Sequence, residues 1–308
     1  MTNTEKKNQN LLNGDEVDLL ELLNVLWLGK IKIIFITAIF AIFSVYYALS
    51  IPNQYKASVV LAPIESSNSG ALSNAIGQFG SLASLSGLNV GGGRVAEGEI
   101  ALEIMQSWHF LENFILTNNL AIELTSSEGW DESLNQLRID KSIYDLKTNQ
   151  WLIDLPSSWS LFQSFSNLLE VSKNNSSGLV TVSIEHYSPH IAKKWLDMYI
   201  DEINSYMQER KVDEVIRNIE YLEIEINKTA NAEMREVFYS LVEEQTKNKM
   251  LASVNPEYAF KAVNPSMVPE EKSQPRRSII CIGITLLGVF ISLLLVLVMH
   301  YIRTRRAY

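Results

Sequence analysis

The sequence predicts an α+β protein in which two transmembrane helices flank an extracytoplasmic domain with a small mixed sheet and a long protruding helix. Three observations predict it. Two uncharged apolar runs, Ile33–Ile51 of 19 residues and Ser278–Tyr301 of 24, lie near opposite ends of the 308-residue chain. Short β-branched segments between them have the composition of strands. From Pro189 to Val254 the chain has no glycine and no second proline, and apolar residues recur at helical spacing.

The first 32 residues read as a cytoplasmic segment, polar over 1–14 and then helical. Asp15–Leu28 is amphipathic, with Val17, Leu20, Leu23 and Trp27 on one face. Residues 33–51 form the first span, because a hydrocarbon core about 30 Å thick needs ~20 apolar residues of helix. The run is longer than the apolar part of a signal peptide, and about 30 residues precede it, which favours a retained span. Pro52 ends it. Gln54–Ala62 is strand-like and Pro63 stops it; residues 66–93 are a Ser/Gly/Ala-rich excursion.

Glu97–Asn119 is expected as one helix with Ile100, Ile104, Trp108, Leu111 and Ile115 in a stripe. Residues 130–170 mix short elements. Leu179–His186 is the clearest strand, and Ser188-Pro189 after it has the chemistry of a helix start. The long helix is expected over 189–227, about 58 Å at 1.5 Å per residue. That length suggests a projection that packs on something other than its own small domain. Thr229–Ala232 reads as a turn before a second helix with Met234, Val237, Phe238 and Leu241. Tyr258–Val263 is a third strand. Residues 264–277, with Pro265, Pro269 and Pro275, form a semi-rigid strut that completes the 52–277 domain. Residues 278–301 form the second span, bracketed by Arg276 and Arg277 before it and Arg303 and Arg305 after it. Residues 302–308 are a cytoplasmic tail.

Charge sets the orientation. Residues 1–32 and 302–308 carry seven Lys/Arg against five acids, whereas 53–277 carry 19 Lys/Arg against 30 Asp/Glu, a net of −11. Short basic flanks stay inside, so Lys30, Lys32 and the arginine tail put both termini in the cytoplasm. Arg276 and Arg277 vote the other way at the second span. A net of −11 is a poor match for nucleic acid or an anionic bilayer surface.

No catalytic, cofactor or metal residues emerge. The four histidines lack metal-ligand spacing. The single cysteine, Cys281, lies in a span and leaves no intrachain disulfide. Gly93-x4-Gly98 is followed by Glu99-Ile100 where a phosphate loop needs Lys-Ser/Thr. Acid pairs such as Asp131/Glu132 and Glu243/Glu244 read as solvated surface on so acidic a domain. His186 and His190 flank a strand–helix junction and read as a polar edge. The spans carry a more usable pattern: Thr37, Ala41, Ser44 and Ala48 are spaced 4, 3, 4, and so are Cys281, Thr285, Gly288 and Ser292. Small residues on one face let membrane helices approach closely, which points to packing in pairs or rings.

In order along the chain stand DEVDLLELL (Asp15–Leu23), YKASVVLAP, the Gly/Ser/Leu-rich segment and ALEIMQSWHFLENFI (Ala101–Ile115). SPHIAKKWLDMYIDEIN (Ser188–Asn204), REVFYSLVEEQTKNKMLA (Arg235–Ala252) and the proline strut before a glycine-containing span follow. That order resembles the chain-length-determinant proteins, the Wzz-like polysaccharide co-polymerases of Gram-negative bacteria. The resemblance implies an inner-membrane protein with a periplasmic α+β base, a long helix and homo-oligomeric rings, often octamers. It implies no catalytic residues and no cofactor. The partners it implies are a glycan polymerase and a lipid-linked polysaccharide, such as O-antigen, whose chain length is regulated. Some relatives carry a cytoplasmic tyrosine kinase, which a tail ending at Tyr308 leaves no room for. The alternative is a two-span extracytoplasmic sensor or export adaptor, which would need a partner subunit for output.

Overall fold

The computed structural model describes residues 25–64 and 97–306. The expected polar segment 1–14, most of the amphipathic helix and the 66–93 excursion lie outside them. The chain divides into two compact units, Met1–Pro52 with Gln274–Tyr308, and Asn53–Ser273. In chain order the elements are α1 (Lys30–Ser50), β1 (Gln54–Pro63), α2 (Glu97–Met105), α3 (Trp108–Thr117), α4 (Ala121–Thr125), β2 (Ser127–Asp131) and β3 (Gln136–Ile139). There follow β4 (Tyr144–Asp145), β5 (Gln150–Trp151), α5 (Ser158–Leu168), β6 (Leu169–Lys173), β7 (Val180–His186) and α6 (Pro189–Lys228). The last are α7 (Ala232–Val254), β8 (Phe260–Asn264), β9 (Lys272–Gln274) and α8 (Arg277–Arg306). Helix and sheet are mixed, with two long apolar helices toward the ends, as the pattern of the sequence requires.

The first unit contains the helices α1 and α8, which pack on each other. They extend the expected spans by a few residues, starting at Lys30 rather than Ile33 and at Arg277 rather than Ser278.

The second unit is built on a five-stranded sheet in the order β6-β7-β1-β8, with β9 also on β1. β6–β7, β7–β1 and β1–β8 are antiparallel. Alternation along β1 turns Ala57, Val59 and Leu61 inward, and β7 buries Val180, Val182 and Ile184. Across the pair, the hydroxyls of Ser58 and Ser183 meet at 3.0 Å. The central layer is the first half of α6, whose Trp195, Leu196, Tyr199 and Ile203 are fully buried. Phe110 and Phe114 of α3 and Phe165 of α5 close over Tyr199 in edge or tilted ring contacts, with centroids 5.3–6.1 Å away. Each such aromatic contributes roughly 1.5–3 kcal/mol through burial alone.

The expected single helix over Glu97–Asn119 is two helices. The Ser107 hydroxyl donates to the Ile104 carbonyl at 2.8 Å, closing α2, and accepts the Phe110 N–H, opening α3. The break rotates the register. Trp108, placed in the apolar stripe by the sequence, is half exposed, whereas Leu111 and Ile115 of that stripe are buried and are joined in the core by Met105, Phe110 and Phe114. The proline segment differs too: Lys272–Gln274 is built into the sheet as β9, and the Ser273 hydroxyl donates to the Gln54 carbonyl. The strut is therefore interrupted by a strand. The third strand starts at Phe260 rather than Tyr258. The long helix matches its expected range within one residue. Its start is fixed by the Ser188 cap and Pro189 in the first turn, and its end by Thr229, whose N–H and hydroxyl both bond the Glu225 carbonyl.

One buried side chain ties α6 to the last main strand. Asn204 accepts the N–H groups of Ala259 and Phe260 at 2.9 and 2.8 Å, and donates to the Phe260 carbonyl at 3.0 Å. Asn204→Leu leaves all three backbone groups without that partner. It is expected to cost about 2–4 kcal/mol and to lower the Tm of the full chain by roughly 6–12 °C. The exposed neighbour change Glu209→Ala is expected to shift it by less than about 2 °C.

Candidate functional site: the apolar helix pair and the long hairpin

The eight small residues expected on the packing faces divide by burial. Ser44 and Ala48 of α1 and Ser292 of α8 are buried, Gly288 is buried as well, and Thr37, Ala41, Cys281 and Thr285 are half-buried. A Cβ on Gly288 would lie 2.5 Å from the Phe40 Cβ, and one on Gly29 would lie 2.5 Å from a Val296 methyl. Only glycine lets the backbone pass so close to those side chains. The hydroxyls are satisfied within their own helices: Ser44 on Ala41, Thr285 on Cys281 and Ser292 on Val289, each at 2.7 Å to the carbonyl. The Thr37 hydroxyl is buried without a partner. The outer faces expose Ile34, Phe35, Ile42, Phe43, Leu286, Leu287 and Phe290, and both helices are long and apolar enough to cross a membrane. Trp27, with the Lys30 ammonium 4.8 Å from its ring centroid, and the exposed pair Tyr46 and Tyr47 stand about 30 Å apart along the helix. Amphipathic rings at that spacing suit the two bilayer interfaces.

In the second unit, polar side chains serve the packing of α6. The buried Tyr199 hydroxyl donates to the Met105 carbonyl at 2.6 Å, and burial pushes the phenol well above its ordinary range. Trp195 Nε1 donates to the Glu123 carboxylate at 3.3 Å. Glu97 receives the Lys211 ammonium at 3.3 Å and the Tyr258 hydroxyl at 3.2 Å. Burial, with the Glu97 charge beside it, pushes the Tyr258 phenol upward. Asp201 is raised by burial and by the Asp197 charge.

Of the acid pairs noted in the sequence, Asp131 has structural work. Asp131 takes the Ser133 hydroxyl and N–H and the Leu134 N–H in the β2–β3 turn, which holds its carboxyl below the ordinary value. Asp140 and Asp145 do the same in the next two turns. Glu243 is exposed on α7. Among the described residues, no group of three or more His, Cys, Asp or Glu side chains could hold a metal ion. Glu99, Ile100, Glu103, Ile104 and Ser107 line an open groove of about 480 Å³ on α2. Lys173 occupies the Glu99 carboxylate, and the groove pairs no nucleophile with a base. His186 is buried and His190 is exposed with its ring 6.2 Å from that of Trp130.

The hairpin of α6 and α7 is the part whose surface is least satisfied. Beyond Met207 only Val215 and Ile226 of α6 are buried, and α7 buries only Ala252. Gln208 pins the end of α7 by donating to the carbonyls of Ala252 and Asn255 at 2.8 and 3.0 Å. Tyr221, Ile224, Met234, Val237, Tyr239, Met250 and Leu251 are all exposed. Met234 and Val237 stand at helical spacing in the sequence. Helical spacing shows that a face exists, but not whether this chain supplies what covers it.

The architecture defines a class: two apolar helices bracketing an α+β unit that carries a long helical hairpin. Within it, residues 15–117 match the family model of the chain length determinant proteins (Wzz). The match takes in α1, β1, α2 and α3. Among solved structures, a full-length bacterial polysaccharide co-polymerase is 14% identical with a TM-score of 0.42, over 94% of this chain and 100% of that one. A fragment of the Salmonella Typhimurium polysaccharide co-polymerase WzzB is 10% identical with a TM-score of 0.32, over 72% of this chain and 100% of that one. The Shigella flexneri lipopolysaccharide O-antigen chain-length regulator is also 10% identical, with a TM-score of 0.22, over 71% of this chain and 100% of that one. No curated protein matches the sequence.

The two glycines of α8 make a paired test of the helix contact. A Cβ on Gly283 meets nothing within 4 Å, whereas one on Gly288 collides with Phe40. Gly288→Leu is expected to abolish disulfide cross-linking between cysteines placed at Ser44 and Thr285, which the Phe40–Gly288 contact puts near one level, in a Cys281→Ser background. Gly283→Leu is expected to leave that cross-link at its parental yield.

Proposed function

We propose that this chain regulates the length of a surface polysaccharide, O-antigen or a related lipid-linked glycan. It acts without catalysis, as a membrane-anchored homo-oligomer beside the polymerase. The observation that carries this reading is the match of residues 15–117 to the chain length determinant family. Two features of the molecule support it. The apolar pair α1 and α8 has the length and composition to cross a bilayer twice. The hairpin of α6 and α7 leaves a row of large apolar side chains uncovered, which further copies of the chain would bury.

In this reading both termini are cytoplasmic, residues 53–277 are periplasmic, and the protein resides in the bacterial inner membrane. The copies form a ring, on the octameric pattern of the family resemblance. The small-residue stripes and the prolines at 265, 269 and 275 set how each copy stands in it. Growth of the glycan is limited by the geometry the assembled copies present, so the residues that matter are those shaping surfaces.

Deleting the gene and resolving lipopolysaccharide and capsule by electrophoresis is expected to replace a preferred chain length with a broad distribution. An unchanged distribution of every surface glycan overturns the proposal. Val237→Asp with Ile224→Asp is expected to reduce the particle mass of the detergent-extracted protein toward that of one chain, 34.9 kDa. The same variant, with circular dichroism unchanged, is expected to broaden the glycan distribution.

A further inference from the structure

His186 is the last residue of β7, two positions before the cap of the 40-residue helix α6. It is 3% exposed. Its Nδ1 accepts the Ser188 N–H at 3.1 Å, so the ring proton resides on Nε2. That atom is buried without a hydrogen-bond partner. The ring lies edge-on to Trp195, with centroids 4.7 Å apart. A second proton has to enter at Nδ1, where it would point at another N–H donor. It would also place a positive charge beside the N-terminus of a long helix, the positive end of its dipole.

We propose that the β7–α6 junction is an acid-operated hinge, in which protonation of His186 releases the first turns of α6 from the end of the sheet. Around the ring the charge meets no carboxylate free to pair with it, and the Glu123 backbone favours it against the larger effect of burial. Tyr55 of β1 stands opposite it in the ladder, and the Tyr187 ring is 6.0 Å away. On α6, His190 is exposed and turned to Trp130, and Lys193 is engaged by Asp197. On α4, the Glu123 carboxylate is held by Trp195 Nε1. An imidazolium keeps its charge only by leaving the pocket, and Trp195, packed against the ring, goes with it.

The direction follows from linkage. Burial pushes the imidazole down to about 4 from an ordinary 6.5. Between those values the opened state takes up a proton that the closed state does not, so closure is lost as pH falls and is fully present above about 7. With those two values the opening equilibrium rises roughly sevenfold per pH unit between 6 and 4.5.

The test is hydrogen–deuterium exchange of the full chain in detergent, read on residues 187–196 at pH 7.0, 6.0, 5.0 and 4.5 and corrected for intrinsic exchange. The wild type is expected to lose protection about 20-fold between pH 6 and 4.5. His186→Asn places Oδ1 where Nδ1 stood and is expected to be flat over that range, as is His186→Phe, a second uncharged replacement. His190→Gln is expected to retain the wild-type slope. A flat wild type overturns the proposal. So does a wild-type slope that persists in the His186 variants, or one that vanishes in His190→Gln.

Discussion

The length of α6 is the constraint from which the rest follows. Forty residues of helix rise about 60 Å, and a sheet whose longest strand is ten residues covers roughly half of that. The first half is therefore overdetermined. Trp195, Tyr199 and Ile203 are enclosed by the sheet and by α3 and α5, and Asn204 locks three backbone groups near β8. Among the described residues the second half has α7 beside it and, near its start, the Glu97 carboxylate on Lys211, and α7 buries a single residue. One helix thus belongs to two regimes, a base where its side chains are enclosed and an extension whose apolar side chains remain in solvent.

That division explains what was readable in the sequence. The spans, β7 and the limits of α6 follow from local signals: apolar length, strand composition, and a serine–proline start with no helix breaker for 40 residues. The break at Ser107 was hidden because one serine in an apolar pattern looks the same whether it faces solvent or caps a new helix. Its hydroxyl decides, by bonding the Ile104 carbonyl and the Phe110 N–H, each three residues away, a backbone geometry that the apolar pattern does not record. β9 was obscured by its neighbours, since Pro269 and Pro275 read as extended strut while the three residues Lys272–Gln274 find a place on β1. The small-residue stripes were legible as a face. Their immediate neighbours within one chain, Phe40 against Gly288 and Val296 against Gly29, were not, because spacing does not identify what the face meets.

The polar chemistry of the second unit is consistent in purpose. Asp131, Asp140 and Asp145 each hold a turn together with backbone and hydroxyl donors. Glu97 joins α2 to α6 and to Tyr258, and Glu123 joins α4 to Trp195. These carboxylates are spent on geometry, and the large aromatic side chains on the core. His186 departs from this economy, being a titratable ring enclosed at a junction with one nitrogen unanswered.

The hydroxyls within the apolar helix pair have a mechanical implication. Because Ser44, Thr285 and Ser292 each answer their own helix's carbonyls, these hydroxyls form no latch from α1 to α8. What aligns the helices at Gly288 and Gly29 is the fit of shapes. Such a joint resists crushing and separation while tolerating small slides and rolls, since those motions break none of these three hydrogen bonds. A piston or screw displacement of one helix against the other is thereby made inexpensive in a medium where a severed polar contact would find no water to replace it.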